Sequence, residues 1–246
     1  MERAWPLLSS RQQKGFGIEL KTGKGRAIHM QLAKQIGSTP PASGSSPSLR
    51  QAEVSPNEHL VERLSSLHEA MAAFDRYTEC HMTRVTAFSM LLADGLSMRL
   101  EERRKLYIAA NLHDIGKLGV PAGILTKPTR LSPVEFRAIK KHTELGVRLL
   151  NRVEGVSNIL PLVRHHHERY DGNGYPTGLA CREIPLGARI IAIADAFDAM
   201  TSDRPYRKRK TIGVAFEELL RCAGSQFDPW LVDNFCKGFS KATYLC

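Results

Sequence analysis

Ala110-Asn111-Leu112-His113-Asp114-Ile115-Gly116-Lys117 closes an apolar helical run with an imidazole, a carboxylate, a glycine and a cation in quick succession. Two hydratable groups at adjacent positions can hardly both enter a folded core unless something binds them. A metal ion would satisfy both. A lone His-Asp dipeptide is a weak motif, so its meaning depends on whether further ligands stand at sensible places along the chain.

Upstream, Ser55-Pro56-Asn57-Glu58 reads as a helix start, with a Ser cap, Pro at the first helical position and Glu three residues after the cap. Leu60, Leu64, Leu67, Met71 and Phe74 follow at helical spacing. A second helix is predicted from about Asp75 to Asp94, stopping at Gly95, with His81 one turn before Val85 on its apolar stripe. A third runs from about Leu100 to His113. Downstream, Ser132-Pro133-Val134-Glu135 repeats the capping signature and opens a helix to about Leu150 that carries His142. A helix from Ser157 to about Tyr170 ends in His165-His166-His167-Glu168, and Asp171-Gly172-Asn173-Gly174-Tyr175-Pro176 is a shaped loop. Leu186 to Ser202, apolar and Ala-rich with Asp195 and Asp198, is a further helix. Thr211–Ala223 and Asp228–Phe239 are the last two. The expectation is an all-α single bundle of about seven to eight helices over residues 55–246, behind a low-complexity, disordered basic tail over residues 1–54.

Several function classes fall away on composition. The net charge is +10, but residues 1–57 hold 8 Lys/Arg against 3 Asp/Glu, and the remaining charges are mixed. That distribution disfavours a nucleic-acid polymer as partner. The cluster Arg204 to Lys210 would attract an anionic substrate or form a solvated face. Five scattered cysteines suit neither a disulfide framework nor a Cys-x-x-Cys metal site. No apolar run reaches the 18 or more residues a membrane span needs, and no signal peptide opens the chain, so a cytoplasmic location is expected.

Inward-facing His or Asp residues recur on successive helices: His81, His113 with Asp114, His142, His166 with His167, and Asp195. Taken singly, His81 or His142 would more often be a satisfied core histidine. His165 could face solvent, Asp171 could shape its turn, and Asp198 could bond a neighbouring backbone group. Convergence favours the metal reading. Imidazoles with carboxylates are the ligand set of Fe, Mn or Zn. Seven groups exceed what one ion takes, whereas two ions bridged by Asp114 would accommodate six. Two ions about 3.5 to 4 Å apart activate a bridging hydroxide and stabilise an attacked phosphoryl group.

His113-Asp114-Ile115-Gly116-Lys117, His142, His166-His167-Glu168-Arg169-Tyr170-Asp171-Gly172-Asn173-Gly174-Tyr175-Pro176, Asp195 and Thr201-Ser202-Asp203-Arg204-Pro205-Tyr206-Arg207 together resemble the HD-GYP branch of the HD phosphohydrolase superfamily. The resemblance spans about residues 60 to 240. It implies a bacterial phosphodiesterase that linearises cyclic di-GMP to pGpG and can continue to GMP, using a two- or three-metal centre of Fe or Mn. By position it implies the metal ligands His113, Asp114, His142, His166, His167 and Asp195, with Asp114 bridging and His81 as a further ligand. Lys117, Arg204 and Arg207 fall where the family contacts phosphate. The alternatives are an HD phosphohydrolase acting on 3′,3′-cyclic GMP-AMP or another nucleotide, and an inactive module that binds a diguanylate cyclase domain.

Two departures stand out. Three-metal members carry a Glu one turn before the equivalent of His81, and here that position is Tyr77, which points to two ions, with His81 either a weak ligand or a group behind the ligands. Members also usually carry a receiver or sensor domain before this one, and 57 residues are too few for it, which leaves constitutive activity, regulation by a partner and a fragment of a longer product as the open expectations.

Overall fold

The computed structural model describes residues 56–74, 76–203 and 208–244. The tail, Ser55, Arg204 and Arg207 lie outside the described residues. In chain order the helices are α1 Pro56–Phe74, α2 Arg76–Gly95, α3 Leu100–Leu112, α4 Ala122–Leu125, α5 Pro133–Lys140, α6 His142–Leu150, α7 Leu160–His165, α8 Leu186–Thr201, α9 Ile212–Arg221 and α10 Pro229–Tyr244. Short 3-10 turns occupy Ile115–Gly119, Ser157–Ile159 and Cys181–Glu183. Among the described residues there is no strand, only an isolated bridge between Ala223 and Phe227. The expected all-α bundle is what forms.

α8 runs through the middle of it. Ile190, Ile193, Ala194 and Phe197 are fully buried, as its apolar composition requires. Phe197 meets Phe88 of α2 edge-on at 5.0 Å, stacks on Phe216 of α9 at 5.4 Å, and touches Phe235 and Phe239 of α10 at 5.1 and 5.2 Å. Edge-to-face pairs suit the ring quadrupole and add to the gain from burying their area. This aromatic cluster ties four helices together on one side of α8, and the polar positions Asp195 and Asp198 are presented elsewhere on the same helix.

The capping box predicted at Ser132 forms in full: Ser132 Oγ accepts from the Glu135 amide at 3.3 Å, and Glu135 accepts from the Ser132 amide at 2.7 Å. The helix it opens is shorter than expected. α5 stops at Lys140, and α6 begins afresh at His142. His142 Nδ1 lies 2.7 Å from the carbonyl of Ile139, the acceptor that a continuous helix would offer to the Thr143 amide. The helix expected from Ser157 to Tyr170 also breaks, ending at His165, and there His166 Nδ1 lies 2.7 Å from the carbonyl of Val163. α3 ends the same way, with His113 Nδ1 at 2.8 Å from Ala110 O.

The turn Ile115–Gly119 packs hard against α6. A Cβ at Gly116 would stand 1.8 Å from His142 O and 2.4 Å from the Gly146 amide nitrogen, so two backbones cross where only glycine fits. This crossing sets His142 beside Asp114. Gly116→Ala is therefore expected to destabilise the fold by at least about 3 kcal/mol, since the obstruction is backbone and cannot rotate away. A urea denaturation midpoint equal to that of the wild type would contradict the crossing.

Candidate metal centre

Three helix ends and the middle of two long helices converge on Asp114. The donor atoms of Asp114, His142, His166 and His167 all lie within 4.8 Å of one another, and so do those of His81, His113 and Asp114. Asp114 belongs to both groups. His142 Nε2 is 3.4 Å from Asp114 Oδ1 and 3.3 Å from His166 Nε2. His113 Nε2 and His81 Nε2 are 3.4 and 3.6 Å from Asp114 Oδ2.

The orientation of these rings follows from the helix ends. A carbonyl only accepts, so Nδ1 of His113, His142 and His166 must carry the proton, which leaves each Nε2 as a lone pair aimed inward. Neutral imidazole with one ring nitrogen so occupied is the form a cation requires. Burial also pushes His142 and His166 below the usual imidazole range, and His167 down to about 3. Two atoms at the centre, His113 Nε2 and Asp114 Oδ1, are buried without a hydrogen-bond partner, a costly arrangement that a bound cation would relieve. The donor set therefore fits one or more divalent ions.

His81 is held differently. Its Nδ1 lies 2.7 Å from Asp198 Oδ2 across the α2–α8 interface. Asp198 is fully buried and also pairs with the Arg84 guanidinium through both oxygens and accepts Ser202 Oγ at 2.9 Å. A buried carboxylate persists only when so partnered. His81 Nε2 faces Asp195 Oδ1 at 3.3 Å as well as Asp114. Burial alone would lower its pKa, but Asp114, Asp195 and Asp198 hold it well above the usual range. Burial pushes the Asp114 carboxyl up, and the Lys117 ammonium beside it more than reverses that, holding it well below the usual range.

Sequence reasoning placed His81, His113, Asp114, His142, His166, His167 and Asp195 at one centre, and the structure brings them together, with Asp195 beside the second group. Lys117 is also present, its Nζ 2.5 Å from Asp114 Oδ2. Arg204 and Arg207 fall outside the described residues, and so does the side chain of Tyr77. Two structural roles were missed. Asp198 bonds a site histidine and not only local backbone. The matched i, i+3 pairs His81/Arg84 and Asp195/Asp198 were its signal. Glu168 is buried and accepts Thr177 N and Oγ1 at 2.8 Å and Gly178 N at 3.1 Å, folding the loop back over the centre. Tyr175, followed by a cis peptide bond to Pro176, stacks on His167 at 4.9 Å. A cleft of about 560 Å³ opens beside His166, His167 and Asp195, where Ala192, Ala196 and Ala199 leave its α8 wall low.

The sequence model of the HD domain family matches residues 55–231. The chain is 40% identical over 189 residues to the cyclic di-GMP phosphodiesterase response regulator RpfG of Xanthomonas campestris pv. campestris, covering 75% of this chain and 50% of that protein. It is 37% identical over 174 residues to the 3′3′-cGAMP-specific phosphodiesterase 2 of Vibrio cholerae, covering 70% of this chain and 33% of that protein. The chain thus spans half or less of the length of these curated relatives. Among solved structures, Bd1817, an HDG"Y"P protein from Bdellovibrio bacteriovorus, superposes with a TM-score of 0.58 at 14% identity over 94% of this chain and 76% of that one, a likeness of fold. No helix among the described residues is long and apolar enough to cross a membrane. The chain belongs to the HD domain family, in the HD-GYP branch marked by His113-Asp114 and Gly174-Tyr175-Pro176.

Proposed function

We propose that this chain is a metal-dependent phosphodiesterase that hydrolyses cyclic di-GMP to the linear dinucleotide pGpG at a centre for two divalent ions, Fe or Mn. The observation that carries the reading is the pair of donor groups sharing Asp114, with His142, His166 and His167 on one side and His81 and His113 on the other. Asp195, 3.3 Å from His81 Nε2, completes the second group. When bound, such ions supply Lewis acidity and lower the pKa of water at neutral pH. Asp114, the carboxylate common to both donor groups among the described residues, would be the residue that holds both ions.

The chain's own residues orient and neutralise. Arg204, Arg207 and Lys117 contact the substrate phosphate, their charges offsetting the one that develops on the phosphoryl oxygens. Lys117, whose ammonium carries three N–H donors, lies 2.5 Å from Asp114 Oδ2 at the edge of the centre. The cleft along α8 admits the nucleotide, and the loop ordered by Glu168 holds Tyr175 against His167. A second reading, hydrolysis of 3′,3′-cyclic GMP-AMP, is supported by the similarity to the cGAMP-specific phosphodiesterase of Vibrio cholerae.

The proposal is tested by purifying the chain anaerobically, counting its metals and chromatographing its products from cyclic di-GMP and cyclic GMP-AMP. Cleavage of neither by metal-loaded protein would refute it, and the relative rates decide between the two substrates. Asp114→Ala is expected to lose bound metal and turnover together. Full metal content in that variant would remove the bridging role.

Asp198→Asn keeps the shape of the carboxylate while removing the charge that backs His81. It is expected to weaken one of two Mn²⁺ sites by about 10- to 100-fold in a calorimetric titration and to leave the other unchanged, as substitutions behind a ligating His do. Two sites of wild-type affinity would show that Asp198 serves the fold alone.

A further inference from the structure

Lys140 ends α5 two residues before His142. Its Nζ lies 4.9 Å from the centroid of the Phe136 ring and 5.0 Å from that of Tyr175, and Tyr175 is stacked on His167. One aromatic ring therefore separates this ammonium group from a donor of the candidate centre. Two other lysines, Lys117 and Lys127, are engaged by carboxylates, by Asp114 and by Glu135 at 2.7 Å. No ion pair engages Lys140 among the described residues. A cation held over ring faces keeps N–H donors free for an anion, because the rings attract its charge without accepting its hydrogen bonds. The surroundings are open as well. α5 buries none of its residues, and Phe136 is 48% exposed.

We propose that Lys140, flanked by Phe136 and Tyr175, is the subsite for the second, non-scissile phosphate of a cyclic dinucleotide. The inference rests on the phosphodiesterase reading given above. A cyclic dinucleotide carries two phosphodiesters in one ring. Only one can lie at the donor groups around Asp114 at a time, and the other must be met a short distance away by a separate cation. A site built for a single phosphodiester has no use for one there. The exposed Phe136 face beside the ammonium also offers a purine a surface to stack on.

The test compares the metal-loaded full chain with Lys140→Gln and Lys140→Arg on two substrates, cyclic di-GMP and bis(4-nitrophenyl) phosphate, which has no second phosphate. Lys140→Gln is expected to raise KM for cyclic di-GMP about tenfold with kcat little changed, so that the kcat/KM preference for it over the model diester falls by about the same factor. Lys140→Arg, which keeps the charge, should restore most of that preference. An equal loss on both substrates, or an Arg variant no better than Gln, would mean that Lys140 only braces α5 against the loop and would overturn the proposal. A wild-type chain that cleaves the model diester but no cyclic dinucleotide would overturn the functional reading and this subsite with it.

Discussion

A histidine ring nitrogen bonded to the backbone carbonyl three residues earlier is the interaction on which this centre depends. It occurs at His113, His142 and His166, at 2.7 to 2.8 Å. In each case the carbonyl is the one a continuing helix would give to the next residue's amide, so the contact marks the point where the helix stops. One bond thus does two things. It ends the helix so that the ring can turn inward, and it fixes the tautomer that leaves Nε2 as a lone pair. Helix termination and ligand preparation are the same event here, which is why the donors cluster where α3, α5 and α7 end.

Gathering these groups costs the fold something, and the rest of the molecule offsets it. Two central polar atoms lack hydrogen bonds, and Asp114 and Asp198 are buried charges. An uncompensated buried polar atom costs on the order of 1–3 kcal/mol. The aromatic cluster around Phe197 and the glycine crossing at Gly116 hold the helices where these penalties must be borne. Without that rigidity the donor groups would relax apart, since like-directed lone pairs on three imidazoles gain nothing from proximity alone.

The sequence made the helices and most donors legible for a physical reason: apolar periodicity survives in a single strand of text, and His or Asp on an apolar stripe is an anomaly visible one residue at a time. Helix boundaries at Lys141 and His165 were not legible, because periodicity carries no trace of a side chain taking a backbone acceptor. The capping box at Ser132 was, because both partners lie within three residues. Asp198 was misjudged, and the role of Glu168 missed, for the opposite reason. Asp198 acts on a residue 117 positions away, and a pairing across two helices shows in sequence only as two matched i, i+3 spacings that must be read together. Arg204 and Arg207 rest on motif position alone.

The two donor groups are electronically unlike. His142 and His166 are backed by neutral carbonyls and share a single carboxylate, Asp114. His81 is backed by Asp198 and faces both Asp114 and Asp195, so negative charge gathers on the second group. A carboxylate behind an imidazole raises its basicity as a ligand and holds its ring, whereas a carbonyl mainly holds the ring. Asp198 places its charge behind His81, on Nδ1, so it would raise the basicity of His81 toward a cation without adding a donor. Under the two-ion proposal, the group around His81 is then the more negatively charged of the two, and a cation there would meet an imidazole braced by charge and not by a carbonyl.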